Sequence, residues 1–66
     1  MQIVVNGTPT ELAEPCTLSN LVDVLKLAGR RLAIEVNEEL VPRSRFAEHR
    51  LTPGDKVEII HAVGGG

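Results

Sequence analysis

The chain has 66 residues, a hydrophobic fraction of 42% and a formal charge of -2 from seven Lys and Arg against nine Asp and Glu. That is one domain near the lower limit for folding on a single core, with little room for a buried active site and no basic excess for nucleic-acid phosphates. Phe46 is the single aromatic residue and Cys16 the single cysteine, which excludes a base-stacking platform, an intramolecular disulfide and a Cys-based metal cluster.

Gln2 to Val5 is a short β-branched run, and Asn6-Gly7 is a hairpin turn signal because both residues tolerate positive φ. Thr8 to Leu12 reads as the return strand. Pro9 marks it as an edge, since proline donates no ladder bond. Glu14-Pro15 breaks the strand. Thr17 is placed to cap a helix running from Leu18 to about Ala28. Leu18, Leu21, Val22 and Leu25 fall at i, i+3, i+4 and i+7 and form one apolar stripe. Cys16 precedes the cap as a small buried hydrophobe and can staple to Leu21. Gly29 supplies a stop.

Arg30 to Val36 alternates, with Leu32, Ile34 and Val36 on one face. Asn37-Glu38 is a turn, and Leu40-Val41 begins a short partner strand that Pro42 ends. Arg43 to Arg50 lacks a period and reads as a loop with one helical turn, anchored by Phe46. Its Arg43, Arg45 and Arg50 make a local basic excess, read as a solvated face in preference to a docking patch. His49 is expected to face solvent there. Leu51 to Asp55 is a turn. Lys56 to Val63 is the last strand, with Val57, Ile59 and His61 on one face and Glu58, Ile60 and Ala62 on the other. Ile60 is then an outward apolar residue, a candidate docking point. The economical arrangement is one mixed sheet of four to five strands wrapped on one helix, over residues 1–63, followed by a flexible glycine tail, residues 64–66.

No catalytic or metal-binding constellation emerges. His49 and His61 stand alone, the acids are scattered, and the glycines form neither a dinucleotide fingerprint nor a P-loop. The sequence therefore reads as a non-enzyme. Met1 leads directly into strand-like sequence without a leader pattern, and no apolar run approaches the ~18 residues of a membrane span. A cytoplasmic setting without membrane or nucleic-acid partners follows as the expectation, with a monomer when free.

The remaining chemistry is the terminal acid on Gly64-Gly65-Gly66. Residues without Cβ atoms can thread a narrow channel in another protein. A frayed end without function is the bland alternative. An α-carboxyl titrates at roughly 3.3–3.7, so at neutral pH it is a carboxylate and a poor electrophile. Loading it with a nucleophile requires an acyl-adenylate made by an activating enzyme with ATP and Mg²⁺.

The order of elements and the glycine end resemble the β-grasp, ubiquitin-like proteins. The segments Val5-Asn6-Gly7, Val36-Asn37-Glu38, Val41-Pro42-Arg43, Gly54-Asp55-Lys56-Val57-Glu58 and His61 to Gly66 are similar to those of the ThiS family of sulfur carriers. The likeness covers essentially the whole chain. It implies that Gly66 is adenylated by a ThiF-like adenylyltransferase and converted to a thiocarboxylate. The sulfur comes through a cysteine desulfurase and is delivered to a ThiG-like thiazole synthase for the thiazole of thiamine. Gly64 and Gly65 would thread the partners' channels and the face near Ile60 would dock. The resemblance implies no bound cofactor, since ATP and Mg²⁺ are consumed by the activating partner. The alternatives are a MoaD-like small subunit of molybdopterin synthase and a ubiquitin-like interaction module that is never thiolated.

Overall fold

The computed structural model describes residues 1–61. It contains β1 (Gln2–Val5), β2 (Thr8–Glu11), α1 (Leu18–Val24), β3 (Leu32–Val36), β4 (Glu39–Val41), a 3₁₀ turn (Arg43–Arg45) and β5 (Lys56–His61). The strands form one sheet in the order β2-β1-β5-β3-β4. β1 and β5 pair in parallel, and the other pairs are antiparallel. This is the mixed sheet of the β-grasp arrangement, with five strands. Residues 62 and 63, assigned from the sequence to the last strand, and the proposed tail at 64–66 lie outside the described residues.

Both tight hairpins form where turn chemistry places them. Asn6 (φ 49) and Gly7 (φ 81) join β1 to β2, and Asn37 (φ 52) and Glu38 (φ 70) join β3 to β4. Positive φ at both central residues matches the right-handed strand twist. β2 with Pro9 is an edge strand, as proline requires.

Helix α1 is shorter than the sequence suggests. Its start follows the capping logic: the Asn20 N–H donates to Thr17 Oγ1 (3.2 Å) and the Thr17 N–H donates to Asn20 Oδ1 (3.0 Å). Its end comes at Val24, well before Gly29. Lys26 adopts φ 59, the Leu27 N–H donates to the Val22 carbonyl (2.8 Å) and the Lys26 N–H to the Asp23 carbonyl (3.0 Å). This is a Schellman closure with a lysine where glycine is usual. Leu27 then packs against the core, and that apolar contact offsets the left-handed backbone at Lys26.

The core lies between α1 and one sheet face. Leu18, Leu21 and Val22 join Ile3, Ile34, Val36, Val57 and Ile59, with Cys16, Phe46 and Leu51 closing the ends. Phe46 anchors the irregular 43–50 segment as expected. His49 departs from expectation: it is half-buried, because its carbonyl accepts the Leu18 N–H (3.0 Å) and holds the segment against the start of α1. Strand β3 begins at Leu32, two residues later than its pattern indicates, since Arg30 is held in a turn: its N–H donates to the Leu27 carbonyl (3.1 Å) and the Arg30 carbonyl accepts from Arg43 Nη2 (2.6 Å).

Candidate functional site

β5 leads to the glycine segment, so its surroundings decide what that segment is attached to. It is a central strand, flanked by β1 and β3. β3 accompanies it along its full length, from Val36 opposite Val57 to Leu32 opposite His61. β1 stops earlier, at Val5 opposite Val57, because the chain turns away at Asn6-Gly7. Asn6 extends the ladder from the turn itself. Its N–H donates to the Val57 carbonyl (2.9 Å) and its Oδ1 accepts the Ile59 N–H (2.8 Å). A side chain thereby stands in for the strand that has run out, and β5 stays paired on both sides up to Ile59.

A second polar clamp holds the start of β5. The Asp55 carboxylate is buried. Its Oδ2 accepts the Thr52 N–H (2.8 Å), and its Oδ1 accepts from Thr52 Oγ1 and Asn37 Nδ2 (both 3.0 Å). Asn37 also receives the Lys56 N–H on its own Oδ1 (3.0 Å). Burial pushes the Asp55 carboxyl up, but the Thr52 amide, the Asn37 amide, the Thr52 hydroxyl and nearby His49 outweigh it and hold the carboxyl below its ordinary value.

Of the exposed large apolar residues, Val24 lies at the end of α1, and Leu40 and Ile60 lie on the sheet face away from it. Ile60 is 51% exposed and sits opposite Ala33. Leu40 is 65% exposed and sits opposite Glu35, which in turn faces Glu58 across β3 and β5. Ile60 thus has the outward placement expected of it. Leu40 was missed as its companion, although a two-residue turn at Asn37-Glu38 dictates that Leu40 shares the outer face with Glu35. The Glu35–Glu58 pair also escapes a strand-by-strand reading, since neither residue reveals its partner locally. Like charges placed directly opposite disfavour the isolated sheet and suit contact with cationic groups.

Cys16 is buried, and burial pushes its thiol up, so it is poorly suited to act as a nucleophile. Among the described residues no group of three or more His, Cys, Asp or Glu is placed to hold a metal ion, and no helix is long and apolar enough to cross a membrane. Gly64, Gly65 and Gly66 lie outside the described residues.

Comparison with known proteins places this architecture among relatives. A family profile described as the ThiS family matches residues 3–66. The sulfur carrier protein ThiS of Escherichia coli K12 is 29% identical over 66 residues, covering all of both chains. A thiazole synthase of Paramagnetospirillum magneticum is 36% identical over the same 66 residues, which make up 20% of that longer protein. The crystal structure of the thiamine biosynthesis protein ThiS from Geobacter metallireducens superposes with a TM-score of 0.86 at 33% identity, over 100% of each chain.

Proposed function

The chain belongs to the ThiS family, and from that premise we propose that it is a sulfur carrier protein of thiamine biosynthesis, with the Gly66 carboxylate as the group that is charged. The observation that carries this reading is the reach of the family match, which runs through residue 66 and takes in Gly64, Gly65 and Gly66.

The chemistry follows from the acid. The carboxylate attacks the α-phosphorus of Mg-ATP on a ThiF-like adenylyltransferase, and pyrophosphate leaves. The mixed anhydride has the leaving group that the carboxylate lacks. A persulfide formed through a cysteine desulfurase then attacks the acyl carbon and AMP departs; a thiol reductant cleaves the resulting acyl disulfide, leaving the thiocarboxylate and a new disulfide. Transfer of that sulfur to a carbonyl acceptor on a thiazole synthase, with the acyl carbon taking an oxygen from that acceptor or from water, returns the carboxylate. The chain acts as a recycled co-substrate in this scheme, and catalysis belongs to its partners. A lone unpaired cysteine and the need for ATP suit the cytoplasm.

The thiazole synthase partner is supported by relatives bearing that name in which a segment like this chain forms a fifth of the length. Joining a carrier to its acceptor raises the local concentration of the reacting ends. The same similarity favours thiamine over the molybdenum cofactor as the destination of the sulfur. For docking, we assign the outer face around Ile60. Covering its exposed half contributes about 1 kcal/mol, half the value of a whole Ile side chain.

Intact-mass measurement tests the proposal. After incubation with a ThiF-like enzyme, Mg-ATP and a sulfur donor, the protein is expected to gain the mass of one oxygen-to-sulfur exchange, located at Gly66 by fragmentation. A variant lacking Gly66 is expected to remain uncharged with an unaltered circular dichroism spectrum. A protein left at its starting mass, while E. coli ThiS is charged by the same enzymes, would refute the reading.

A further inference from the structure

The residues that sulfur carriage leaves unused gather at the opposite end of β5. A cleft of about 580 Å³ opens between the β3–β4 hairpin and the 43–52 segment. Leu40, Pro42 and the edges of Val36 and Val41 give it an apolar lining, and Arg45, His49 and Arg50 bring basic side chains to it. The volume lies within the ~300–1,000 Å³ typical of small-molecule sites. Asn37 and Asp55 also line it, next to the start of β5. His61, at the strand's other end, is five residues along, about 17 Å at the usual rise.

Three features make this more than a solvated basic loop. First, the neighbouring cation is diverted while these remain available. Arg43 donates to the Arg30 carbonyl and lies over the Phe46 ring. Arg45 has only a loose contact with Glu48, at 3.7 Å on the surface, and the Arg50 guanidinium has no hydrogen bond or ion pair among the described residues. Second, the backbone carrying them is held in place. The His49 carbonyl takes the Leu18 N–H, the Leu51 N–H donates to the Cys16 carbonyl (2.8 Å) and Arg50 bridges Thr17. Third, of the two carboxylates lining the cleft, Asp55 has both oxygens occupied by Thr52 and Asn37, which leaves Glu39 as the free opposing charge. A protein of net charge -2 thus concentrates Arg45, Arg50 and His49 around one concave, partly apolar surface.

We propose that this cleft is a binding site for a phosphate monoester with an apolar body, its oxyanion held by Arg45, Arg50 and His49. Two planar guanidinium forks match a phosphate dianion better than a single carboxylate. The apolar lining calls for an organic group in place of free phosphate. The site lies at the end of β5 away from His61, and it meets the outer face only at Leu40, which lines the cleft as well.

The test is an amide-resolved NMR titration of the full chain with phenyl phosphate, with benzoate and inorganic phosphate in parallel. Saturating shifts centred on residues 36–52 are expected with phenyl phosphate, and weaker binding with both other anions. Arg50→Gln is expected to raise the dissociation constant at least ~10-fold, the value of one charge-assisted hydrogen bond. Arg31→Gln, an exposed cation outside the cleft, is expected to leave it unchanged. If Arg50→Gln disturbs the fold, Arg45→Gln carries the same expectation from an exposed side chain. Non-saturating shifts, equal losses in the cleft and Arg31 variants, or benzoate binding as tightly as phenyl phosphate would overturn the proposal.

Discussion

Asp55→Asn isolates the clamp beneath β5. The carboxylate accepts three hydrogen bonds, from the Thr52 N–H, the Thr52 hydroxyl and the Asn37 amide. An asparagine keeps the shape but offers one oxygen and one donor. Whichever way the amide lies, at least one Thr52 or Asn37 donor then faces another donor. Hydrogen bonds to a charged group contribute about 1.5–3 kcal/mol each, so a loss of about 2–3 kcal/mol is expected. A domain of this length has only about 3–10 kcal/mol in total, and urea titration at neutral pH would detect the change easily.

The pH dependence provides the second arm. Asp55 is held below its ordinary value in the fold, so its contribution is fully present above the unfolded value of about 3.9 and is lost as pH falls through the lower folded value. The parent protein should lose stability on acidification below about pH 4, and Asp55→Asn should lose less over that range. A variant within about 0.5 kcal/mol of the parent, a typical surface effect, with the same acid slope would show that the clamp does not support the strand.

Ile60→Glu should weaken binding to a ThiF-like enzyme by more than the roughly five-fold equivalent of its ~1 kcal/mol of burial, while shifting stability by no more than about 0.5 kcal/mol; unchanged affinity in a binding titration would remove Ile60 from the docking face. Lys26→Gly should raise the unfolding free energy by about 0.5–1 kcal/mol, because the left-handed backbone at φ 59 suits glycine; a destabilised variant in thermal melts would argue against the Schellman closure. Cys16 should resist alkylation in the folded protein and react on unfolding in urea, since its thiol is buried and pushed up; rapid labelling of the native protein, read by mass, would contradict its placement in the core.

Most of what a short stretch of chain decides was readable before the structure. Asn6-Gly7, Pro9 and the Thr17 cap act within a few residues of themselves, and each stands where local chemistry puts it. Ile60 was legible by alternation alone. The misplaced helix end has a specific cause: Gly29 does adopt positive φ (82), but the helix has already closed at Lys26, where packing of Leu27 decides the matter. The polar clamps were hidden because their partners are distant. Asn6 reaches Ile59 across 53 positions and Asn37 reaches Asp55 across 18, separations over which periodicity carries no signal. The cleft was hidden for the same reason, since Arg45, His49 and Arg50 become a site only when the β3–β4 hairpin forms its other side.

The central position of β5 has a mechanical consequence. A protein that draws the residues beyond His61 into a channel pulls along the axis of this strand. The load then falls in shear on the β1 and β3 ladders together, with the Asn6 bond to Ile59 among the first to bear it. Rows of hydrogen bonds loaded side by side must fail together, whereas an edge strand peels one bond at a time. A domain gripped repeatedly by that end would keep its fold through many rounds of handling, and a chain with the same end attached to β2 or β4 would not.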